Sequence, residues 1–595
     1  MIVLGISGLD HSVPFKRRVM PGLDEREYRI VQGLDAAAAL VSEDGVLAAA
    51  AEERFSGDKG TGAFPIRAIQ ACLETSNLTL DDIDAVAHGF SYEAFASELQ
   101  TAAMEPGQFD AVYSRAAVER CLDRWFPGSG LSGRLVRVPH HLAHAASAYY
   151  SSGFDEALIF VADGMGEVDS STVAVGRNGS IEVLRRTAAL HSLGILYGIG
   201  TLYLGFLMGM DEYKVMGLAP LGDPRRFHPE LERHVNFTAT GEVTIPLLAR
   251  DRTVLERETH GGVLKALEAL FGPRREPEAP IEQRHMDFAA ALQAVLQNAL
   301  LHQLTHLRES TALDRLCMAG GVALNCSANG VIKRSGLFSD MFVQPAAGDD
   351  GTSVGAALMV LHQRSGRLRP RKMRLPLWGP AFDAGRIERA LRSRSLTRYR
   401  RLEDEVLCDE AARLLADGAI LGWFQGRMEF GPRALGSRSI LADPRRPDMR
   451  VRINALVKKR EEFRPFAPAV KQEAAARYFE IADGDTSLFE YMLCVTHVRD
   501  EFRDALPATT HVDGSARAQT VDRATNPLFW NLLDAFERVS GFPIVLNTSF
   551  NVRGQPIVCT PEEAVDTFVR AGLTALVIGP FLVESDGDAA GSSPA

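Results

Sequence analysis

The sequence predicts an α/β protein of two domains, and three observations carry that expectation. Its 595 residues exceed what one hydrophobic core organises. Short apolar strands ending in polar, glycine-rich turns alternate with stretches of helical spacing, and one strand–turn–hairpin theme occurs twice. In "RSGRLRPRKMRLPLWGP" the pattern dissolves into Arg and Pro, which predicts a boundary near residue 370 and domains of 1–370 and 371–595.

The opening "MIVLGISG" reads as a strand, followed by a polar excursion from Leu9 to about Val31. "DAAAALVSEDGVLAAAAEERF" is two apolar segments broken at Glu43-Asp44-Gly45, a hairpin signal. "PIRAIQACLETSN" has helical spacing, and "DAVAHGF" reads as a strand. "VPHHLAHAASAYY" is a helix rich in histidine and small residues. "EALIFVADGMGEVDSSTVAVGRNGSIEVL" then repeats the first theme: a strand, a turn at Asp163-Gly164, and further short strands. Duplicated units of this kind are the plan of the actin, sugar-kinase and heat-shock-chaperone ATPase superfamily.

"CMAGGVALN", around Gly320 and Gly321, and "AAGDDGTSVGAA", around Asp349, could each open a helix N-terminus toward phosphate or ribose. A tight strand-to-helix turn is the competing reading for either. "GSGLSG" follows no strand and reads as a loop, and no Walker A motif is present. The tail "ESDGDAAGSSPA" is small and polar.

An apolar fraction of 46% and a charged fraction of 24% are those of an ordinary globular protein. A net charge of -11 argues against a chain wide open to nucleic acid. No uncharged apolar run is long enough for a membrane span, and the first residues lack a signal-peptide pattern, so a cytoplasmic location with no membrane partner is expected. Seven scattered cysteines without a CxxC suit reduced thiols.

His140 and His144, four apart, lie on one helix face and can aim their ring nitrogens at one point. A zincin is excluded because His141 stands where that motif needs Glu. In the second domain Arg433, Arg438, Lys458, Lys459, Arg460 and Arg464 crowd together, interleaved with Gly, Pro and Phe. Arg presents a planar fork to phosphate oxygens, so the cluster points to a small phosphorylated substrate, with a structural ion-pair network as the alternative.

"HHLAHAASAYY", "DGMGE", "DEYKVMGLAP", "GGVALN", "GDDGTSVGAA", "GPRALGSRSI", "FRPFAP" and "LNTSFN" occur in this order. Together they resemble the O-carbamoyltransferase family of antibiotic and nodulation-factor biosynthesis. The resemblance implies an N-terminal actin-like (duplicated ribonuclease-H-like) domain similar to the tRNA threonylcarbamoyladenosine-forming protein, and a C-terminal YrdC-like α/β domain. It implies a metal, iron(II) or a similar divalent ion, on His140, His144, Asp163 and Asp349, with His141 a packing or supporting residue. Lys59, Lys214, Gly320, Gly321 and Asn325 fall where relatives hold the adenylate. Arg433, Lys458, Arg464, Asn547 and Ser549 match residues that bind carbamoyl phosphate.

The implied reaction uses ATP and magnesium. Carbamoyl phosphate is dephosphorylated, the carbamate attacks the α-phosphate of ATP, and the carbamoyladenylate is consumed in the first domain by a small-molecule hydroxyl acceptor. The resemblance also allows a homodimer. One departure stands out: relatives carry His-Asp-x-Ser-Ala-Ala-Leu after the first strand, and here "LDAAAAL" places Leu34 at the His. His11, on the turn of the first strand, is the nearest substitute base, with an exposed loop histidine as the competing reading. A tRNA-modifying carbamoyl or threonylcarbamoyl transferase and a non-catalytic adenylate-binding homologue are the alternatives to small-molecule transfer.

Overall fold

The computed structural model describes all residues except 103, 367, 395, 397, 459–465, 483–484, 486–487 and 586–595, and it leaves out the side chain of Lys458. The chain divides into two compact units, Met1–Glu53 with Gly60–Met373, and Arg54–Lys59 with Arg374–Ala595. The short excursion at 54–59 has no counterpart in a reading by linear segments.

The first unit is built twice on one plan. In its first sheet, β1 (Val3–Ile6) is central. An antiparallel hairpin of β2 (Ala37–Ser42) and β3 (Gly45–Ala51) lies on one side, and parallel strands β4 (Ala85–His88) and β5 (Leu135–Arg137) lie on the other. In the second sheet, β6 (Glu156–Gly166) is central, flanked by the meander of β7 (Asp169–Arg177) and β8 (Ser180–Ala188) and by parallel strands β9 (Arg315–Ala319) and β10 (Asp340–Val343). This is the duplicated ribonuclease-H-like, actin-like architecture. Strands β2 and the first half of β6 are nearly all apolar and buried, as strands covered on both faces must be.

Each repeat closes with a helix after its fifth strand: α1 (His140–Ser152) after β5 and α2 (Gly351–Ser365) after β10. The two helices pack on each other, with α2 against β1, β2 and β4, and α1 against β6, β9 and β10. Twelve residues of α1 are buried, which its Ala- and Ser-rich sequence permits. Their approach requires glycine: a Cβ at Gly355 would overlap the Ala143 carbonyl, and one at Gly5 would overlap the Ser353 carbonyl.

Two local expectations differ from the structure. The excursion from Leu9 to Val31 contains helices at Ser12–Val19 and Glu25–Tyr28, the second started by an Asp24/Glu27 capping box. The turn expected at Asp163-Gly164 lies later, at Glu167. Strand β6 continues through Asp163, and a register shift between Ala162 and Gly166 absorbs the glycines.

The second unit is an α/β domain on an eight-stranded mixed sheet. In sheet order its strands are β11 (Tyr399–Arg401), β18 (Phe581–Glu584), β17 (Ala575–Ile578), β12 (Leu421–Phe424), β13 (Arg438–Ala442), β16 (Ile544–Ser549), β14 (Ala467–Lys471) and β15 (Gln519–Val521). One core cluster gathers Phe424, Ile440, Leu546 and Phe568, and the other gathers Leu415, Trp423, Phe529 and Val577.

Gly355→Ala should lower the unfolding free energy of the first unit by about 1–3 kcal/mol, because the added methyl meets backbone and the helices must part. Denaturant unfolding of the full chain measures this, and an unchanged midpoint would show that the α1–α2 contact yields freely.

Candidate functional site

The four sequence-predicted donors converge where the repeats meet. His140 and His144 come from α1, Asp163 from β6, and Asp349 from the turn that leads into α2. One ligand atom from each lies within 4.8 Å of the others. His140 Nε2 is 3.4 Å from Asp163 Oδ2 and 3.3 Å from Asp349 Oδ1, and the corresponding distances for His144 Nε2 are 3.9 and 3.7 Å. The two Nε2 atoms face each other at 3.0 Å.

Both imidazoles are fully buried. Burial opposes charge on His140, but Asp349 and Asp163 outweigh it and push its imidazole well above the usual range. Burial likewise disfavours ionised Asp163 and Asp349, yet the imidazoles hold both carboxyls below the ordinary carboxylate range. Two facing nitrogens between two carboxylates require a positive charge between them, either a proton or a cation. Imidazole nitrogen with carboxylate oxygen suits a borderline divalent ion, so the group can hold a metal.

The surroundings fix this donor set. The Gly89 carbonyl is 3.0 Å from His140 Nδ1, so Nδ1–H donates there and the Nε2 lone pair faces the cluster. The Phe90 ring stacks on His140 at 4.1 Å. The N–H of Gly321 donates to Asp163 Oδ1 at 3.0 Å. Gly320, at φ +91°, presses against the Ala162 carbonyl where no side chain fits. Both glycines, expected to face an adenylate, here also brace the strand that carries Asp163. His141 turns away toward Thr172 Oγ1 at 3.0 Å, and burial pushes its imidazole down to about 3, as suits a packing residue.

Among the other expected nucleotide residues, Asn325 Nδ2 donates to Gln293 Oε1, and its Oδ1 caps the following helix through the Ala328 N–H. Cys326 meets Met216 Sδ at 3.5 Å, which brings "DEYKVMG" beside it. Lys214 pairs with Asp211 at 3.0 Å and lies over Phe206. Lys59 belongs to the segment grouped with the second unit.

His11 is not one of the four donors and belongs to a separate group with Asp10 and Cys121. Its side chain is 41% exposed, with Nδ1 3.3 Å from Asp10 Oδ2, and Cys121 Sγ lies 3.9 Å from that oxygen. Asp35, next to Leu34, is the residue of this region that feels the donor cluster. Burial, then Asp350, Glu53 and Asp349, push its carboxyl well above the ordinary range.

In the second unit, Asn547 Nδ2 donates to the Ala434 carbonyl (3.2 Å) and to Gln519 Oε1 (2.8 Å). Gln519 Nε2 donates to the Leu435 carbonyl at 2.9 Å. The loop of Arg433 is thereby tied to β15 and β16, where Ser549 donates to Asn551. Glu429 Oε1 holds the same loop through the N–H groups of Leu435, Ser437 and Arg438. The expectation for Lys458 (its side chain), Lys459, Arg460 and Arg464 lies outside the described residues.

Arg438 corrects the cluster. Its guanidinium is fully buried on the Phe424 ring and its terminal nitrogens donate to the carbonyls of Gln425, Ser437, Pro380 and Gly426, a structural tie. Arg517, not singled out from the sequence, lies two residues before Gln519, and its Nε is buried without a hydrogen-bond partner. In "SARAQTV" the arginine stands between two alanines.

His88 carries a pH dependence. Its ring nitrogens face the carbonyls of Gly8 (3.0 Å) and Phe90 (3.3 Å), and burial, then Arg137, push it down to about 4. The folded state therefore binds this proton less readily than the unfolded chain. The contribution is complete above pH 6.5 and is lost as pH falls toward 4, up to about 3 kcal/mol. Unfolding measured from pH 7.5 to 4.5 should steepen across this window in the wild type and less in His88→Gln; equal slopes would place the acid lability elsewhere.

Comparison with known proteins bears on the family of the chain. Residues 130–358 match the carbamoyltransferase N-terminus and residues 412–585 the carbamoyltransferase C-terminus. The chain is similar to Nodulation protein NolNO of Sinorhizobium fredii, 41% identical over 92% of this chain and 79% of that protein. It is also similar to Nodulation protein NolO of Bradyrhizobium diazoefficiens, 44% identical over 75% and 78% respectively. Full-length HypF in its phosphate- and nucleotide-bound form aligns at 12% identity and a TM-score of 0.31, covering 62% of this chain and 47% of that one. At that score the likeness bears on nothing further. With both halves matched and relatives this similar, the chain belongs to the carbamoyltransferase family and is a carbamoyltransferase enzyme.

Proposed function

We propose that the protein is an ATP-dependent O-carbamoyltransferase that modifies a hydroxyl of a small natural product. The observation that carries the reading is the match of both halves to the carbamoyltransferase family, supported by four residues of the first unit that could hold a cation. In the second unit, taken as YrdC-like, Arg433, Arg517, Asn547 and Ser549, with Lys458 and Arg464, would hold carbamoyl phosphate. Its hydrolysis yields carbamate and phosphate. A carbamate oxygen then attacks the α-phosphorus of ATP, forming carbamoyladenylate and expelling pyrophosphate, whose charge magnesium neutralises.

In the first unit, Lys214, Gly320, Gly321 and Asn325 would face the adenylate. A divalent ion such as iron(II) on His140, His144, Asp163 and Asp349 would polarise the carbamoyl group and offset charge on the leaving AMP. The acceptor oxygen attacks the carbamoyl carbon as the bond to AMP breaks. His11, on the turn of the first strand and with Nδ1 3.3 Å from the Asp10 carboxylate, is the group we take to accept its proton.

The two half-reactions test the reading separately. The wild type should bind about one transition metal per chain and release pyrophosphate from ATP only with carbamoyl phosphate. His144→Ala should lose the metal and acceptor transfer yet keep pyrophosphate release. Retained metal in that variant would remove His144 from the site.

Arg517→Ala should do the reverse, lowering pyrophosphate release at least about tenfold, the worth of one charge-assisted hydrogen bond, while metal content stays at the wild-type level. Unchanged release would make Arg517 a surface or packing residue.

A further inference from the structure

Two features of helix α1 are not explained by the four donors. Its N-terminus has no cap of its own, because it is preceded by Pro139 and no neighbouring side chain in sequence bonds its first N–H groups. His144 Nδ1 is buried without a hydrogen-bond partner, unlike His140 Nδ1, which donates to the Gly89 carbonyl. The direction of His144 Nε2 therefore depends on where the helix itself sits.

Glu167 supplies what is missing. It is 5% exposed, at the turn after β6, four residues beyond Asp163. Its Oε1 accepts from the His140 N–H at 2.9 Å and from the Ser91 N–H at 2.7 Å, and Oε2 lies 3.2 Å from the same His140 nitrogen. One carboxylate thus joins three pieces: the turn after the strand of Asp163, the first turn of the helix that carries both histidines, and the loop whose Gly89 and Phe90 orient His140. A negative group at a helix N-terminus is favourable in its own right.

The residue is held there against its own preference. Its φ is +53°, a left-handed conformation that costs a non-glycine residue about 1 kcal/mol or more. Its carbonyl is fixed by Gln32 Nε2 at 3.1 Å, and Gln32 Oε1 in turn accepts from the Tyr92 hydroxyl at 3.0 Å.

We infer that Glu167 is a positioning residue for the cation site, setting the axial placement of α1 so that both imidazoles meet Asp163 and Asp349. The inference rests on the proposed role of those four residues as a cation site. A rigid helix moves as a body, so loosening its N-terminus displaces His140 and His144 together, and His144 has no side-chain anchor to resist. Loss of a group that orients metal ligands typically weakens metal binding about 10- to 100-fold.

The test is the affinity of the metal-stripped full chain for cobalt(II), measured by competition with a chelator, alongside the thermal midpoint of the metal-free protein. Glu167→Ala should weaken cobalt binding by about 10- to 100-fold. Glu167→Asp, a smaller change that spares the fold but cannot reach both N–H groups, should weaken it at least about fivefold. Glu167→Gln, which keeps the reach and an accepting oxygen, should restore affinity to within about threefold. The metal-free midpoint of the Asp and Gln variants should stay near that of the wild type, whereas a purely structural role would move it without changing relative affinity. Wild-type affinity in both the Ala and Asp variants would overturn the inference, and so would a Gln variant as weak as Ala, because charge rather than placement would then be responsible. A wild-type chain that binds no cobalt would overturn the reading of the four donors themselves.

Discussion

The first unit is organised around an electrostatic demand: two buried imidazole nitrogens 3.0 Å apart, faced by two carboxylates. Left to themselves such groups would move apart or be solvated, because burying unbalanced charge is costly. They stay because each is held from behind. Gly89 and Phe90 fix one ring, the Gly321 N–H fixes one carboxylate, and the glycines at the helix crossing let α1 and α2 come close enough for His140 and Asp349 to meet.

The duplication explains how one chain assembles that cluster. Each repeat ends in a helix that crosses to the other repeat's sheet, so the helix closing the first half and the turn before the helix closing the second arrive at one place. The central strand of the second repeat supplies the remaining donor. Three distant parts of the sequence are thus ligands by topology, and a change in the crossing of α1 and α2 alters the donor geometry before it alters any donor.

Legibility in the sequence followed the range of the interaction. The histidine pair could be read directly because four residues make one helical turn, and the repeated strand–hairpin theme could be read from strand and turn chemistry. Asp163 and Asp349 have no local signature and came from resemblance to a family. The Asp24/Glu27 capping box was a local signal, yet a polar stretch that hides two short helices reads as a loop when apolar periodicity is the guide. Glu167 was beyond reach, since it caps a helix that begins 27 residues earlier in the chain. Arg438 shows the opposite error: an arginine among Gly and Ser looks available, and only the fold reveals that its terminal nitrogens are bonded to four carbonyls.

The two units place opposite requirements on one chain, and the overall composition conceals both. The first gathers acids and imidazoles around a point that needs positive charge. In the proposed reading the second unit holds the phosphorylated substrate, with Arg517 and the loop of Arg433, tied to Gln519 and Asn547, as the groups that would stabilise negative charge. A net charge of -11 averages over these and so argues about nucleic acid and solubility, not about chemistry. A two-step reaction through an acyl phosphate-type intermediate has the same division, because forming it requires stabilising phosphate negative charge and consuming it requires an electrophile made more positive. Separating the two fields into different cores lets each be tuned by its own neighbours, and this is a physical reason for one activity to be spread over two folds.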